Sequence, residues 1–235
     1  MVVAYENPDI RQTGDGCLTL FHPGYGQTYH SMHGALQEAR HVFLQEALVE
    51  ERLKQGHALR ILEVGFGLGL NFILTCQTAM RHAAPIHYVA LEADLLSSGQ
   101  LGQLHYAEEL DIPALGEALL SWRSQFPDHM AQGRYEFQFG ELIRLELHLG
   151  DACHFETDER FDAVYLDAFS PDQNPELWTE PFLKRLAKVM LPGGHLTTYS
   201  AKGSVRRTLE VAGFIVRKRP GPPGKREMLL GIKPD

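Results

Sequence analysis

The stretch Leu59-Arg-Ile-Leu-Glu-Val-Gly-Phe-Gly-Leu-Gly-Leu-Asn71 is the most informative part of this 235-residue chain for its architecture. Its first six residues form an apolar run of strand length, and three alternate glycines follow at once. A buried strand that runs through a glycine-rich turn into a helix is typical of sheets that bind a ligand at the carboxyl ends of their strands. A dinucleotide-binding fingerprint would place its third glycine at position 70, where this chain has leucine, so the spacing weakens that interpretation.

Strands and helices alternate after this stretch. Further strands are predicted at 86–91, 135–139, 142–149, 161–166, 195–200, 214–217 and 227–232. Helical spacing of apolar residues predicts helices at 34–53, 71–80, 95–122, 175–190 and 204–212, with an internal break at Asp111-Ile-Pro113 in the third of these. The chain is therefore predicted to be an α/β protein with a mostly parallel seven-stranded sheet, an antiparallel last strand and helices on both faces.

The first part of the chain has a different pattern. Turn signals at Gly14-Asp15-Gly16 and Pro23-Gly24 separate short apolar runs, which predicts a hairpin followed by the first helix. We expect residues 1–57 to be an extension of a core formed by residues 58–235, within a single domain spanning 1–235. No internal repeat or linker interrupts this arrangement.

Composition narrows the class of protein. The chain has 44% hydrophobic and 22% charged residues, which is ordinary for a globular protein. It has no basic leader and no apolar run of about 18 residues, so we expect a soluble cytoplasmic protein without a membrane partner. Three widely spaced cysteines provide neither a disulfide framework nor a paired metal-binding motif. His30, His33 and His41 lack a completing ligand, so no metal is expected.

Acidic residues follow the predicted strands. Glu92 ends the second strand, where its carboxylate can accept hydrogen bonds from ribose hydroxyls. Asp151 can accept a hydrogen bond from an exocyclic amine, and the small side chain of Ala152 leaves room for a flat ring. Asp167 ends the next strand. Each acid alone is more often a solvated loop residue, but strand ends that all bear glycine or carboxylate form a specific combination.

This pattern resembles the class I S-adenosylmethionine-dependent methyltransferases, which have a Rossmann-like fold. The resemblance implies that the glycine turn faces the methionine part of the cofactor, that Glu92 binds ribose and that Asp151 binds adenine. The implied reaction is methyl transfer by in-line displacement, which needs positioning more than acid or base strength. The residues assigned to S-adenosyl-L-methionine in this way are Glu63, Gly65, Phe66, Gly67, Gly69, Asn71, Glu92, Ala93, Asp151, Ala152 and Asp167.

A narrower resemblance covers nearly the whole chain. The motifs that carry it are Glu38-Ala-Arg-His41, Gly65-Phe-Gly-Leu-Gly-Leu-Asn-Phe72, Asp167-Ala-Phe-Ser-Pro171, Asn174-Pro-Glu-Leu-Trp178, Gly203-Ser-Val-Arg-Arg207 and Gly224-Lys-Arg-Glu-Met228. They look like the methyltransferase half of the tRNA 5-methylaminomethyl-2-thiouridine biosynthesis family. The resemblance implies methylation of the aminomethyl nitrogen of a wobble uridine in tRNA.

Bifunctional members of that family continue into a flavin oxidase domain. This sequence stops at Asp235, just after the last predicted strand. We therefore expect a standalone methyltransferase without FAD, and a separate enzyme that supplies the aminomethyluridine. Which tRNAs it uses, whether thiolation is required and the oligomeric state stay open.

Asp167 is the predicted catalytic residue. The attacking amine must be neutral, and a carboxylate beside it can hold an N–H group and then receive or relay the proton. Other amino-directed methyltransferases have Asp or Asn followed by Pro-Pro-aromatic here, whereas this chain has Asp167-Ala-Phe169-Ser-Pro171. This leaves open whether Phe169 or another aromatic residue packs on the base.

Substrate contacts are predicted for loop residues that can stack on a uridine, as RNA recognition often requires. The candidates near the pocket are Tyr29, Glu38, Phe169, Pro171 and Trp178, with Tyr25 as a further aromatic residue. The alternative for each aromatic residue is packing in the core, and we favour that alternative for Trp178.

Charge is distributed unevenly. The net charge is −8, but residues 184–235 contain 12 Lys and Arg against 3 acids, whereas residues 1–183 contain 10 against 27. The basic third predicts contact with the tRNA backbone, and its alternative is a solvated basic face. The residues predicted to contact phosphate are Arg206, Arg207, Lys218, Lys225 and Arg226.

Two other functions stay possible from the sequence. A methyltransferase or aminopropyltransferase-like enzyme acting on a small-molecule amine would also place a carboxylate after the fourth strand. A non-catalytic module could bind S-adenosylmethionine or RNA. The basic third disfavours the first alternative, and Asp167 beside the cofactor carboxylates disfavours the second.

Overall fold

The computed structural model describes residues 9–235. The strands are β1 (Ile10–Gln12), β2 (Leu18–His22), β3 (Gln27–Thr28), β4 (Leu59–Val64), β5 (Ile86–Glu92), β6 (Gly133–Phe139), β7 (Ile143–Leu149), β8 (Phe161–Leu166), β9 (Met190–Thr198), β10 (Ile215–Pro220) and β11 (Glu227–Ile232). The α-helices are α1 (Ala35–Ala39), α2 (Val49–Lys54), α3 (Leu70–Arg81), α4 (Ser98–Gly102), α5 (Tyr106–Glu109), α6 (Pro113–Arg123), α7 (Glu180–Lys188) and α8 (Gly203–Val211). None of the helices among these residues combines the length and the apolar character needed to cross a bilayer.

The central sheet has the order β10-β11-β9-β8-β4-β5-β7-β6. The five strands from β9 to β7 pair in parallel, and β11 runs antiparallel between β9 and β10. The predicted α/β class and its antiparallel closing strand are confirmed. The sheet has eight strands instead of the predicted seven. Its antiparallel edge is β6, which corresponds to the strand predicted at 135–139, and the short turn after Phe139 allows only a hairpin connection to β7.

The position of β4 in the sheet determines where a ligand can bind. From β4 the chain proceeds to β5 and β7 on one side, and later to β8 and β9 on the other. In open α/β sheets a crevice forms where the strand order reverses, outside the carboxyl ends of the strands. The ends of β4, β5, β7 and β8 therefore border one crevice.

The first three strands form a separate antiparallel sheet. Cys17 and Leu20 of this sheet join the same buried cluster as residues of α1, β4 and α3. The Gln27 side chain donates to the Ser170 hydroxyl at 2.8 Å, which links the small sheet to the loop after β8. The small sheet therefore lies at the crevice and forms one of its walls.

Two predicted helices are broken in the structure. The helix predicted at 34–53 is α1, a π-helical segment at Arg40–Gln45, and α2, which begins after Leu48 in the left-handed conformation. The helix predicted at 95–122 is three short helices, with His105 and Asp111 in left-handed conformations at the joints. The predicted break at Asp111-Ile-Pro113 matches the joint between α5 and α6. The joints at Leu48 and His105 were not predicted, because apolar periodicity continues through them.

The predicted helix at 175–190 also begins later than expected. Residues Pro175–Trp178 form a 3-10 turn, and α7 begins at Glu180 with a proline in its first turn, a position that proline favours. The strand predicted at 195–200 is longer, since β9 already begins at Met190.

Candidate active site

The crevice at the carboxyl ends of the strands contains a cavity of about 1060 Å³. Its walls come from the turn after β4, the ends of β5, β7 and β8, the small sheet, α1 and the loop between β10 and β11. Eight residues predicted for the cofactor or the reaction line it, namely Gly65, Gly67, Asn71, Glu92, Ala93, Asp151, Ala152 and Asp167. The structure thus brings together residues that the sequence places about 100 positions apart.

Glycine is required in the turn after β4. Gly65 has φ +90°, and a Cβ there would lie 2.8 Å from the Asp167 carbonyl oxygen. Gly67 has φ +53°, and its Cβ would lie 3.0 Å from the Tyr29 ring. The turn can therefore approach both β8 and the small sheet only without side chains.

Two other members of the predicted cofactor turn do not line the cavity. Gly69 precedes α3 in a left-handed conformation. The Phe66 ring is buried and packs near Phe72, with centroids 5.9 Å apart. Both residues shape the turn from behind.

Glu92 ties the end of β5 to the glycine turn. Its Oε2 accepts the Gly67 N–H at 2.7 Å, and its Oε1 accepts the N–H groups of Ala93 at 2.7 Å and Asp94 at 3.1 Å. Burial raises the pKa of Glu92, and these hydrogen bonds oppose the rise. A carboxylate has about four acceptor positions, so one position stays available for a ligand hydroxyl.

Asp151 lies at the end of β7 and is exposed to the cavity. Its Oδ1 accepts the Cys153 N–H at 2.8 Å, which caps the short 3-10 turn at Ala152–His154. Its Oδ2 lies 3.4 Å from the His154 imidazole. The carboxylate is therefore fixed by the backbone and keeps acceptor capacity toward the cavity.

Asn71 joins two buried carboxyl groups. Its Nδ2 donates to Glu63 Oε1 and to Asp167 Oδ2, both at 2.8 Å. Burial raises the pKa of Glu63 well above its usual value, and the neighbouring Asp167 raises it further. Burial also raises the pKa of Asp167, as does the negative charge of Glu38.

The same arrangement separates the roles of Glu63 and Asn71. Glu63 is 0% exposed and does not line the cavity, so it supports Asn71 from behind rather than facing a ligand. Asn71 is 4% exposed and lines the cavity, and its Oδ1 has no hydrogen-bond partner among residues 9–235. A buried acceptor without a partner is costly, so this oxygen can serve a ligand N–H group.

The part of the cavity around Asp167 and Glu38 also contains a positive charge. The Lys225 ammonium is 2.5 Å from Glu38 Oε2 and 4.5 Å from the centre of the Tyr199 ring. Tyr199 donates its hydroxyl hydrogen to the Ala168 carbonyl at 2.9 Å. Its pKa is raised by burial and by the charges of Asp167 and Glu38. Tyr199 was not among the predicted site residues, although it directly follows β9 and other predicted site residues also follow the ends of strands.

Aromatic side chains border the same end. The rings of Phe169 and Tyr25 stack with centroids 4.2 Å apart, and Tyr29 lies 5.2 Å from Phe169. Trp178 does not line the cavity, which agrees with the core packing favoured for it over a substrate contact. Trp178 is 5% exposed and its Nε1 donates to the Phe169 carbonyl at 2.9 Å, so it supports the loop from the core side.

The predicted phosphate contacts fall into two groups. Lys225 lines the cavity, and Arg226 lines an adjoining depression. Pro171, which is a predicted substrate contact, also lines that depression. Arg206 and Arg207 lie on α8 and Lys218 lies on β10, outside both. Arg206 pairs with Glu210 at 3.2 Å and Lys218 with Glu227 at 2.7 Å.

One group away from the cavity has metal-ligand chemistry. Ligand atoms of His87, Glu146 and Glu159 lie within 4.8 Å of one another. However, the Arg134 guanidinium is 2.7 Å from Glu146 Oε2 and the Arg144 guanidinium is 3.9 Å from the same oxygen. These cations already balance the buried carboxylate, so the group is an ion-pair network on the sheet.

Known proteins are similar to this chain in sequence. A family described as S-adenosyl-L-methionine-dependent methyltransferase matches residues 114–234. The tRNA 5-methylaminomethyl-2-thiouridine biosynthesis bifunctional protein MnmC of Ectopseudomonas mendocina is 38% identical over 216 residues, which are 88% of this chain and 32% of the relative. The protein of the same name from Paraburkholderia xenovorans is 35% identical over 221 residues, 91% of this chain and 33% of the relative. The chain thus spans about a third of the length of these curated relatives.

A solved structure is similar over most of the chain. The crystal structure of MnmC2 from Aquifex aeolicus has a TM-score of 0.76 and 29% sequence identity, and the likeness covers 96% of this chain and 70% of that one. At this coverage the similarity includes both the central sheet and residues of the small sheet.

Proposed function

The chain belongs to the S-adenosyl-L-methionine-dependent methyltransferases, and on this basis we propose that it methylates tRNA at a wobble uridine. The proposed reaction converts 5-aminomethyluridine, or its 2-thio form, into the 5-methylaminomethyl derivative. The names of the similar MnmC proteins support this substrate. The observation that carries the proposal is one cavity that joins the glycine turn, Glu92 and Asp151 to an acidic, aromatic end around Asp167.

The cavity fits the cofactor. When bound, S-adenosyl-L-methionine supplies a methyl group activated on a sulfonium sulfur. Glu92 keeps one acceptor position for a ribose hydroxyl, and Asp151 beside Ala152 can accept from the adenine amine. Asn71 Oδ1 has no hydrogen-bond partner among residues 9–235, so it can accept a hydrogen bond from an N–H group of a ligand. The glycine turn leaves space that a Cβ would fill.

Asp167 has the chemistry needed beside the amine. With the cofactor bound, the amine nitrogen would gain the methyl group and would have to release one proton. A carboxylate can orient an N–H group and accept that proton. Because burial raises the pKa of Asp167, its carboxylate is more basic than a solvated one and accepts the proton more readily. Asn71 holds Oδ2 and leaves Oδ1 for the amine.

The rest of the acceptor end suits an RNA base and its amine. Phe169, Tyr25 and Tyr29 present aromatic rings on the cavity wall, and single-stranded bases are commonly recognised by stacking on such rings. Glu38 adds a negative charge that attracts a cationic substrate amine, and the basic C-terminal third offers contacts for the tRNA backbone. Methyl transfer to an existing amine needs neither flavin nor metal at this site.

The experiment combines labelled S-adenosylmethionine with tRNA bearing 5-aminomethyluridine, unmodified tRNA and polyamines. We expect label only on the aminomethyl tRNA. Asp167→Ala should lower kcat by at least about 100-fold, the low end of what a positioned proton acceptor contributes, while S-adenosylmethionine binding measured by calorimetry stays near the wild-type value. Asp158→Ala, which removes an exposed carboxylate, is the matched control.

Two results would contradict the proposal in different ways. Label confined to a polyamine would show that the substrate is a small amine. Wild-type turnover by Asp167→Ala on the aminomethyl tRNA would show that the reaction does not need Asp167, and the assignment of the substrate would stand.

A further inference from the structure

A second depression of about 400 Å³ adjoins the cavity. We call it the flanking groove. It is lined by Ser170, Pro171, Tyr199, Ser200, Ala201, Lys202, Lys225, Arg226 and Glu227. It shares Ser170, Tyr199 and Lys225 with the main cavity, so the two spaces are continuous across these three residues.

One short loop connects the proposed catalytic residue to the flanking groove. Asp167 and Ser170 both line the main cavity, and Ser170 and Pro171 line the groove. Three residues span at most about 11 Å when fully extended. A strand whose uridine enters the cavity therefore carries its neighbouring nucleotide to the groove.

The groove combines apolar walls with positive charge. The Pro171 ring, the Tyr199 ring and the Ala201 methyl group provide surface for a flat base. Lys202 and Arg226 are exposed at its border. Lys202 pairs with Asp172, whereas Arg226 makes no ion pair within the described range of residues 9–235. A positive groove beside aromatic surface is the usual design for binding single-stranded nucleic acid.

The acids near the groove are already engaged. Glu227 pairs with Lys218 at 2.7 Å, and Glu38 pairs with Lys225 at 2.5 Å. The pKa of Glu227 is lowered mainly by Lys218 and also by the charge of Arg226. Arg226 itself makes no ion pair among the described residues, so its guanidinium N–H groups stay available to a phosphate. A guanidinium binds phosphate oxygens through two parallel hydrogen bonds.

From these observations we propose that the flanking groove binds the nucleotide next to the target uridine, with its phosphate held by Arg226. This inference rests on the proposed RNA substrate and adds a specific subsite to it. The phosphate contact would fix the register of the strand, since phosphate contacts position a nucleic acid. The aromatic wall would hold the neighbouring base in its unstacked conformation.

The test uses an anticodon stem-loop RNA that carries 5-aminomethyluridine. Three versions are compared: one with natural phosphates, and two with a neutral methylphosphonate on either the 5′ or the 3′ side of the target. In the wild type, one of the two replacements should lower kcat/KM about tenfold, the value of one charge-assisted hydrogen bond. The side that responds identifies which neighbour occupies the groove.

Arg226→Ala should show about the same tenfold loss on natural RNA and no further loss on the sensitive methylphosphonate, because the two changes remove the same interaction. Ala201→Phe, which fills the groove and leaves the charges in place, should lower kcat/KM for the RNA at least about fivefold, as expected for an overpacked contact. Arg81→Ala is the matched control, since Arg81 is exposed and lines neither space.

Fluorescence anisotropy with the same stem-loops, without the aminomethyl group, measures binding independently of turnover. Failure of the wild type to methylate any stem-loop would contradict the proposed function, while the binding cycle would still test the groove. Additive losses for Arg226→Ala and the methylphosphonates, or an Arg226→Ala variant that behaves like Arg81→Ala in both assays, would overturn the groove proposal.

Discussion

At the scale of single residues, the site depends on one amide between two carboxyl groups. Asn71 can donate two hydrogens from a single nitrogen, and Glu63 and Asp167 accept them. Each carboxyl group loses hydration on burial, which disfavours its charged form. The Asn71 bonds oppose this loss only in part, so Asp167 stays more basic than a surface aspartate.

The raised pKa of Asp167 predicts a pH-dependent effect on stability. The folded state binds this proton more tightly than the unfolded state, in which the pKa is about 3.9. Its contribution to stability is therefore complete below that value and is lost as the pH rises through the higher folded pKa. Asp167→Asn cannot ionise, so its stability relative to the wild type should increase as the pH rises above about 3.9, until the pH passes the higher folded pKa of Asp167.

Urea denaturation at several pH values measures this difference. Glu117→Gln is the control, because that side chain is exposed on α6 and its removal should give no comparable trend. A stability difference between Asp167→Asn and the wild type that shrinks as the pH rises would contradict the assignment.

At the scale of elements, the turn between β4 and α3 is the most constrained part of the fold. Gly65 and Gly56 both have positive φ, +90° and +77°, so alanine at either position has a similar backbone cost of about 1–2 kcal/mol. Of these two positions, only Gly65 would bring the new Cβ against another atom, the Asp167 carbonyl oxygen at 2.8 Å.

This pair provides a matched test of the turn. Gly56→Ala should lower the unfolding free energy by about 1 kcal/mol and leave kcat unchanged. Gly65→Ala should cost about 1–3 kcal/mol more, the usual range for overpacking, and should lower kcat because it displaces the end of β8. Equal stabilities and activities for the two variants would show that the close approach of the two strand ends is not important.

Sequence patterns predicted the strands better than the helices. β4, β8 and β11 have the bounds predicted for them. β4 and β8 are central strands in the parallel part of the sheet and are buried on both faces, and the antiparallel β11 is buried at its four middle residues. The breaks at Leu48, His105 and Asp111 are left-handed residues other than glycine. The break at Asp111 was predicted from Pro113, whereas tertiary packing imposes the conformations of Leu48 and His105, which no local residue type indicated.

At the scale of the whole molecule, the net charge of −8 conceals a basic C-terminal third. The structure divides this third by position. Lys225 faces the cavity and pairs with Glu38, whereas Arg206, Arg207 and Lys218 lie on α8 and β10. The ion pairs of Arg206 and Lys218 are exposed to solvent and therefore weak, so these side chains stay available to phosphate.

The combined variant Arg206→Glu, Arg207→Glu and Lys218→Glu tests the surface contribution to tRNA binding. We expect at least about tenfold weaker binding and a salt dependence reduced by about 0.7–0.9 for each phosphate that the variant no longer neutralises. Binding titrations at several salt concentrations measure both, with Arg81→Glu as the control. An unchanged affinity and slope would place the tRNA backbone elsewhere on the protein.

Local residue patterns were sufficient to predict the sheet, the glycine turn and the acids at its strand ends, because strand burial and turn chemistry are local properties. The meeting of Glu38, Tyr199 and Lys225 beside Asp167, and the place of Trp178 behind the loop, emerged only from the folded arrangement. Glu38 lies on α1 and Lys225 on the loop between β10 and β11, so their contact depends on how distant elements pack. The spacing of apolar residues within one helix or strand contains no information about that packing.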